Sequence, residues 1–156
     1  GSHDLKVGIV WAGRPTHIND SNRSIDLKWF KCLLDVKGCK FFSLQVGEAR
    51  EDIKRYGYHH VIKDLGKQFI DFHHTALAIL QLDLVISVDT AVAHLAGSLG
   101  KPVWTLLPFI PDWRWMLDCS DSPWYPSMTI FRQKEMGGWT PVFEQLKLSL
   151  MKCSQS

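Results

Sequence analysis

The polar pair Asp89-Thr90 lies between an unbroken apolar run, Leu84–Val88, and a stretch of small residues that ends at Gly100. The apolar run predicts a strand buried on both faces, and the small residues predict a helix that packs closely on a sheet. Either polar residue can cap that helix, because its side-chain oxygen can accept from N–H groups of the first turn. The Thr90 hydroxyl and the unpaired N–H groups at the helix start therefore form a candidate anion site.

The first turn of the predicted helix adds three residues to this candidate site. The backbone N–H groups of Ala91 and Val92 have no partner within the helix. His94 follows one turn later, and helical side chains lean toward the N-terminus, so its imidazole can approach the same anion. An ordinary helix cap and a packed structural histidine are the alternative interpretations.

A second polar segment, residues 12–24, follows the first predicted strand. Its candidate ligand-binding side chains are Arg14, His17, Asn22, Arg23 and Ser24. Guanidinium groups bind phosphate through paired hydrogen bonds, so this segment and the Asp89-Thr90 turn would together form a diphosphate cradle. The Asp89 carboxylate would repel a diphosphate unless it caps the helix, binds a sugar hydroxyl or pairs with Arg23. For the two arginines, solvated loop cations are the alternative interpretation.

Strand and helix patterns alternate along the chain, which predicts an α/β fold. Predicted strands cover residues 5–11, 40–45, the region of 61–62, 84–88, 102–107 and 128–131. Predicted helices cover residues 25–34, 48–56, 72–82, 90–99 and 141 to about 151. We expect a three-layer, Rossmann-like, doubly wound parallel sheet in which the first and fourth strands are neighbours. That order would bring segment 12–24 and the Asp89-Thr90 turn into one crevice.

Tryptophan is concentrated in the C-terminal third, where five of the 7 residues lie between Trp104 and Trp139. Within the irregular stretch 108–127, the residues Trp113, Arg114 and Trp115 are candidates for a wall against a base or a sugar. Packing of a long loop is the alternative, since indoles bury large areas and an arginine can stack on them.

Composition and missing motifs exclude several function classes. A net charge of +2 argues against a dedicated nucleic-acid partner, and no apolar run approaches the ~20 residues of a membrane span. Neither a GxGxxG fingerprint nor a phosphate-binding P-loop is present in the sequence. We expect no metal site at His59-His60 or His73-His74, since adjacent side chains point apart on a regular helix or strand.

The four cysteines show no zinc-binding spacing, so we expect reduced thiols and a cytoplasmic location. The opening residues Gly1-Ser2-His3 are typical of the remnant of an affinity tag. We therefore expect one domain, a single Rossmann-like lobe over residues 4–156.

Several uncommon strings, in order, resemble the C-terminal lobe of the heptosyltransferase-like family 9 glycosyltransferases of bacteria. The most specific is the run from Ile86 to Gly97, followed by Leu99-Gly-Lys-Pro-Val103. The closer resemblance is to the glycosyltransferase-like domain that follows tetratricopeptide repeats in many bacterial proteins, and it covers about residues 6–150. The strings that carry it are Val10-Trp-Ala-Gly13, Asn22-Arg-Ser24, Phe42-Ser-Leu-Gln45, Leu107-Pro-Phe109, Pro111-Asp-Trp-Arg-Trp115 and Ser122-Pro-Trp-Tyr-Pro126.

The resemblance implies the donor-binding lobe of a two-lobe GT-B glycosyltransferase, which needs no metal or other cofactor. The donor's diphosphate would lie against Asp89, Thr90, Ala91 and His94, with Arg23 and Ser24 as the contact on the first loop. Ala91 and Val92 stand where the heptosyltransferase motif has Gly and Leu. The catalytic base would belong to a missing N-terminal lobe.

The partners that the resemblance implies are a nucleotide-sugar donor, the missing N-terminal lobe and tetratricopeptide repeats. A non-catalytic, glycosyltransferase-like interaction module is the main alternative to the donor lobe. Half of an epimerase or phosphorylase with the same two-lobe layout is a third interpretation.

Overall fold

A computed structural model gives the fold of the chain. The structure describes residues 5–12, 25–46, 48–66, 72–88, 91–107, 127–133 and 139–154.

Six parallel strands form one sheet at the centre of the molecule. They are β1 Leu5–Val10, β2 Cys39–Ser43, β3 Ile62–Asp64, β4 Leu84–Val88, β5 Val103–Leu107 and β6 Met128–Arg132. Their order in the sheet is β3-β2-β1-β4-β5-β6. The predicted doubly wound α/β fold is therefore confirmed, including the pairing of the first and fourth strands.

Five α-helices and three 3-10 segments are seen in the described ranges. The α-helices are α1 Lys31–Leu34, α2 Asp52–Arg55, α3 Phe72–Leu80, α4 Ala91–Ser98 and α5 Thr140–Ser154. The 3-10 segments are Leu27–Phe30, Glu48–Glu51 and Tyr58–His60. The predicted helices over residues 25–34 and 48–56 thus begin as tighter 3-10 turns and contain only one α-helical turn each. The first of them starts where Asp26 Oδ1 accepts from the Lys28 N–H at 3.0 Å.

The strands of the sheet centre carry the most buried side chains. Every residue of β4 is buried, as a strand covered on both faces requires. On one face α4 packs on β4 and β5, and its small side chains Ala93 and Ala96 are fully buried. This close approach confirms the prediction made from the small residues of the helix.

The other face carries α1 and α5, which pack on each other. Their contact is aromatic: the ring of Phe143 in α5 meets Phe30 edge-on at 5.0 Å and stacks on Trp29 at 6.2 Å between centroids. The two helical layers and the sheet between them give the predicted three-layer arrangement.

Helix α4 ends at a glycine cap, as predicted from Gly100. Gly100 has a φ of 75°, in the left-handed region that glycine adopts without a Cβ penalty. Its N–H donates to the Gly97 carbonyl at 3.0 Å, and the Lys101 N–H donates to the Ala96 carbonyl at 3.1 Å. This pair of bonds is a Schellman motif, and it turns the chain directly into β5.

Candidate functional site

The winding of the sheet reverses between β1 and β4, and this reversal defines the candidate site. Val10, the last residue of β1, pairs with Ser87, so the chain leaves β1 at Trp11 next to Val88, the last residue of β4. Adjacent strands are about 4.8 Å apart. Open α/β sheets bind ligands in the crevice beyond such a reversal, because the connections on either side leave in opposite directions.

Most of the predicted site residues lie outside the described residues. They are Arg14, His17, Asn22, Arg23, Ser24, Asp89, Thr90, Trp113, Arg114 and Trp115. Of the remaining candidates, Ala91 is the first residue of α4, and Val92 and His94 lie in its first turn with half-buried side chains. Helix α4 therefore begins three residues beyond the last residue of β4. The roles predicted for all these residues stay predictions.

Gln45 makes four side-chain hydrogen bonds at this edge. It is 4% exposed and lies just beyond β2. Its Oε1 accepts from the backbone N–H groups of both Trp11 and Ala12 at 3.1 Å. Its Nε2 donates to the carbonyl oxygens of Ala12 at 3.0 Å and Val46 at 3.3 Å. Through these hydrogen bonds the Gln45 amide connects the end of β1 with the end of β2.

Trp11 fixes the same point of the chain from two other directions. Its carbonyl oxygen accepts from the Ile25 N–H at 2.7 Å, so the chain returns at Ile25 to the place it left. Its indole Nε1 donates to Asp52 Oδ2 at 3.1 Å, and the other oxygen of that carboxylate lies 3.2 Å from Arg55 Nη1. Both ends of segment 13–24 are consequently anchored at Trp11 and Ala12.

The exit of β3 carries a partly buried ion pair. Arg50 Nε donates to Asp64 Oδ2 at 3.1 Å, while Asp64 Oδ1 is buried without a hydrogen-bond partner among the described residues. Two residues further on, Gly66 touches the strand next to it so closely that a Cβ there would overlap the carbonyl oxygen of Gln45. The exits of β1, β2 and β3 therefore form one continuous, tightly packed edge.

Sequence reasoning did not single out Gln45, Asp52 or Asp64 as functional candidates. For Gln45 a signal was present, because it ends the predicted strand 40–45, which contains Phe41, Phe42 and Leu44, and a glutamine buried there has to satisfy its amide within the fold. The partners of that amide, at positions 11 and 12, could not be read from the sequence, since they depend on the register of β1 with β2.

The adjacent histidines behave differently from the prediction. The rings of His59 and His60 lie only 4.0 Å apart, so the expectation that they point apart is wrong. A 3-10 segment, unlike a regular helix or strand, places them there. The rings of His73 and His74 are 6.3 Å apart and nearly perpendicular. Within the described ranges, no three histidine, cysteine or carboxylate side chains are grouped so that they could hold a metal ion.

A cavity of about 320 Å³ lies between α3 and the sheet, away from the reversal of the winding. Its walls are mainly apolar. The residues that line it are Lys6, Phe42, Leu65, His74, Ala78, Gln81 and Leu82. Of the predicted ligand-binding residues that the structure describes, Ala91, Val92 and His94, none lines this cavity.

Asp26, Tyr56 and Cys32, which lie outside the strand exits, have shifted pKa values. Burial opposes ionisation of Asp26, but hydrogen bonds from the Tyr56 hydroxyl and the Lys28 N–H outweigh it and lower the Asp26 pKa. The hydrogen bond from the Tyr56 hydroxyl to Asp26 Oδ1, with a length of 2.6 Å, also raises the pKa of Tyr56. Burial raises the pKa of the Cys32 thiol, which keeps it protonated and unreactive, as expected for a structural cysteine.

No helix in the described ranges is both long and apolar enough to cross a membrane. No protein-family model matches the sequence.

Comparison with known proteins connects this chain to larger bacterial proteins. It is 25% identical over 154 residues to the protein FlbA of Caulobacter vibrioides, an alignment that covers 93% of this chain and 25% of FlbA. Among solved structures it is similar to ADP-heptose LPS heptosyltransferase II of Escherichia coli, with a TM-score of 0.62 and 14% identity. It is also similar to the Escherichia coli heptosyltransferase WaaC, solved with ADP-2-deoxy-2-fluoro heptose, with a TM-score of 0.65 and 17% identity.

The two structural alignments show how much of a heptosyltransferase this chain represents. The chain aligns over 100% and 94% of its own length but over only 49% and 43% of the two heptosyltransferases. It has the fold of about half a heptosyltransferase. The heptosyltransferase-like GT-B architecture expected from the sequence is thus confirmed at the level of the fold.

Proposed function

We propose that this chain is the C-terminal, nucleotide-sugar-binding lobe of a metal-independent GT-B glycosyltransferase. The observation that carries the proposal is the position of the sheet reversal between β1 and β4. Segment 13–24 leaves from one of these strands and α4 begins just beyond the other, and Arg23 and the start of α4 are the two predicted phosphate contacts. The heptosyltransferase WaaC, which shares this fold, was solved with an ADP-sugar analogue.

In this proposal the lobe acts by binding and electrostatics. An acceptor oxygen attacks the anomeric carbon, and the bond from that carbon to the diphosphate breaks with its electron pair on the departing oxygen. The N–H groups of Ala91 and Val92, together with Arg23, stabilise the charge that develops on the diphosphate. Asp89 binds a sugar hydroxyl, and His94 donates a hydrogen bond to the phosphate. Ser24 and Thr90 add hydroxyl donors to the phosphate oxygens.

The other parts of the reaction lie outside this chain in the proposal. A separate N-terminal lobe supplies the acceptor site and the base that takes the acceptor's proton. Trp113, Arg114 and Trp115 form the wall against the base or the sugar, and Arg14, His17 and Asn22 line the first loop. The parent protein is cytoplasmic and carries tetratricopeptide repeats. By itself the lobe binds nucleotide weakly and does not transfer sugar.

Titration with nucleotides tests the proposal directly. ADP, UDP and GDP are added to ¹⁵N-labelled protein up to millimolar concentration, and chemical-shift changes are mapped. We expect one nucleotide to change the chemical shifts of residues at the start of α4 and in segment 13–24. Arg23→Ala should lower the affinity for that nucleotide about tenfold or more. Lys31→Ala, on the opposite layer, is the matched loss of a cation and should leave binding unchanged. If no nucleotide shifts these residues, this lobe does not bind the donor.

One residue favours a second candidate function, a non-catalytic interaction module. Ala91 is the first residue of α4 and stands where the heptosyltransferase motif has glycine, so it has a methyl group that the glycine lacks, at a position where backbone would approach a phosphate. A module of this kind would bind the repeats of its parent protein and no nucleotide. Sugar transfer by the full-length parent that is lost in Arg23→Ala would contradict it. Capture of the repeat segment by a lobe that binds no nucleotide would support it.

A further inference from the structure

We infer that Gln45 is the positioning residue for segment 13–24, the phosphate-binding segment of the proposed function. It holds the chain at Trp11 and Ala12, where that segment leaves β1 and where Ile25 returns beside it. The inference rests on the proposed function for the nature of the ligand. Its structural part depends only on the contacts of Gln45, Trp11, Ala12 and Ile25. Gln45 ends one of the strings that carry the family resemblance, Phe42-Ser-Leu-Gln45, but the resemblance implies no role for it, and Gln45 itself need not touch the ligand.

Each donor and acceptor position of the Gln45 amide has a backbone partner. A carboxamide has an oxygen that accepts two hydrogen bonds and a nitrogen that donates two. Here the oxygen serves the N–H groups of Trp11 and Ala12, and the nitrogen serves the carbonyls of Ala12 and Val46. All four hydrogen-bonding positions are therefore used.

Other side chains of similar size cannot make this set of bonds. A glutamate accepts both N–H groups but sets a carboxylate against the carbonyl oxygens of Ala12 and Val46. A methionine fills the same space but makes none of these four bonds, of which the one to the Trp11 N–H is buried and the other three are part-buried. Removing hydrogen bonds from buried groups is costly, so the backbone at Trp11 and Ala12 would move to find water.

A movement at Ala12 bears on the loop as a whole, because both ends of segment 13–24 meet there. Ala12 is bonded through both its N–H and its carbonyl to the one amide. Ile25 returns to the carbonyl of the neighbouring Trp11 at 2.7 Å. Arg14 and Arg23 are each two residues from one of these anchored ends. Displacements of about 1 Å at such anchors can weaken a geometrically exacting interaction by up to about a hundredfold.

The experiment compares Gln45→Met and Gln45→Glu with Val36→Ala. Val36 is buried and precedes β2, at the end of the sheet where the strands begin. Its truncation therefore lowers stability without touching the strand exits. For each protein we measure the melting temperature, the affinity for ADP and the hydrogen exchange of backbone amides in the ligand-free state. We expect all three variants to melt earlier. Only the Gln45 variants should lose protection at Trp11, Ala12 and Ile25 and bind ADP about tenfold or more weakly.

Gln45→Glu adds a readout that a merely structural role would not produce. Acidification protonates the introduced carboxyl, which can then donate to one of the two carbonyls. We therefore expect the Ala12 amide to regain protection from hydrogen exchange on acidification in Gln45→Glu, and not in Gln45→Met. The exchange rates are first corrected for the intrinsic pH dependence of exchange. The inference is overturned if the Gln45 variants exchange like Val36→Ala at Trp11, Ala12 and Ile25.

The inference and the proposed function can fail separately. If the unmodified protein binds no ADP, UDP or GDP, the proposed function fails, and the exchange data alone decide whether Gln45 anchors the loop. If the protein binds a nucleotide and the Gln45 variants bind it equally well despite lost protection, Gln45 anchors the chain without positioning the site. That result overturns the inference and leaves the proposed function intact.

Discussion

Thr105, in the centre of β5, carries a hydroxyl that is buried without a hydrogen-bond partner among the described residues. Valine has nearly the same shape and brings no polar atom. Since an unsatisfied buried polar group costs about 1–3 kcal/mol, we expect Thr105→Val to raise the free energy of unfolding by roughly 1 kcal/mol in a urea titration. Ser87 is the matched control, because its hydroxyl is equally buried but donates to the Val88 carbonyl at 2.7 Å. Ser87→Ala should destabilise the protein, and a loss of stability in Thr105→Val would contradict the argument.

Gly66 illustrates a different constraint on a single residue, a close approach between two backbones. A Cβ at this position would overlap the carbonyl oxygen of Gln45, and a backbone atom cannot move aside as a flexible side chain can. We expect Gly66→Ala to lower the free energy of unfolding by about 1–3 kcal/mol or more. Gly57→Ala is the comparison, since a Cβ there meets open space but needs a φ of 74°. Gly57→Ala should lower the free energy of unfolding by less, about 1 kcal/mol. A loss equal to or larger than that of Gly66→Ala would contradict the explanation.

At the scale of elements, a hydrogen bond between Tyr56 and Asp26 joins the end of α2 to the start of the first 3-10 segment. Asp26 has a lowered pKa, so its contribution to stability is present above the unfolded-state pKa and lost as pH falls through the folded-state pKa. Tyr56 has a raised pKa, so its contribution is present below its unfolded-state pKa and lost at alkaline pH. We expect Tyr56→Phe to lower the melting temperature between about pH 5 and 9 but not below about pH 2.

Asp26→Asn provides the control for this pH dependence. Asparagine keeps the helix cap and can still accept from the Lys28 N–H, but it does not ionise. The difference in stability between Asp26→Asn and its double variant with Tyr56→Phe should therefore change little on the acidic side. A Tyr56→Phe effect that persists at pH 2 in the otherwise unaltered protein would show that the hydrogen bond is not its cause.

The elements differ in how far the sequence predicts them. Apolar runs such as Leu84–Val88 predict the strands well, because a parallel sheet covered on both faces requires them. The glycine cap at Gly100 is also predictable, since it depends only on local backbone geometry. Short 3-10 segments such as Tyr58–His60 are not, because they are fixed by capping and packing in the folded chain. For this reason the proximity of His59 and His60 was missed.

The candidate site is predictable only in part, for reasons that belong to the whole molecule. The doubly wound order follows from the alternation of elements, and it places the exits of β1 and β4 side by side. The role of Gln45 depends instead on the register of β1 with β2, which no local pattern specifies. The sequence thus predicts which strand exits are neighbours, and the folded structure shows which side chain connects the exits of β1 and β2.

Phe143 links the beginning and the end of the fold through three aromatic rings. Its ring meets Phe30 at 5.0 Å, Trp29 at 6.2 Å and Trp139 at 6.3 Å between centroids, and the side chain is 2% exposed. We expect Phe143→Ala to lower the free energy of unfolding by about 3–5 kcal/mol, a large part of the ~5–15 kcal/mol of a typical domain. Phe143→Leu keeps most of the volume and should cost less.

Because α5 shares this cluster with the first helical segment, we expect Phe143→Ala to unfold in one transition at lower urea concentration. Tryptophan fluorescence reports on all 7 tryptophans of the chain, among them Trp29 and Trp139 of this cluster, and far-ultraviolet circular dichroism reports on the sheet and helices together. The two signals should change together, as they do in a cooperative two-state transition. If fluorescence changes at lower urea than circular dichroism, α5 separates before the sheet unfolds, and the cluster does not couple the two ends of the chain.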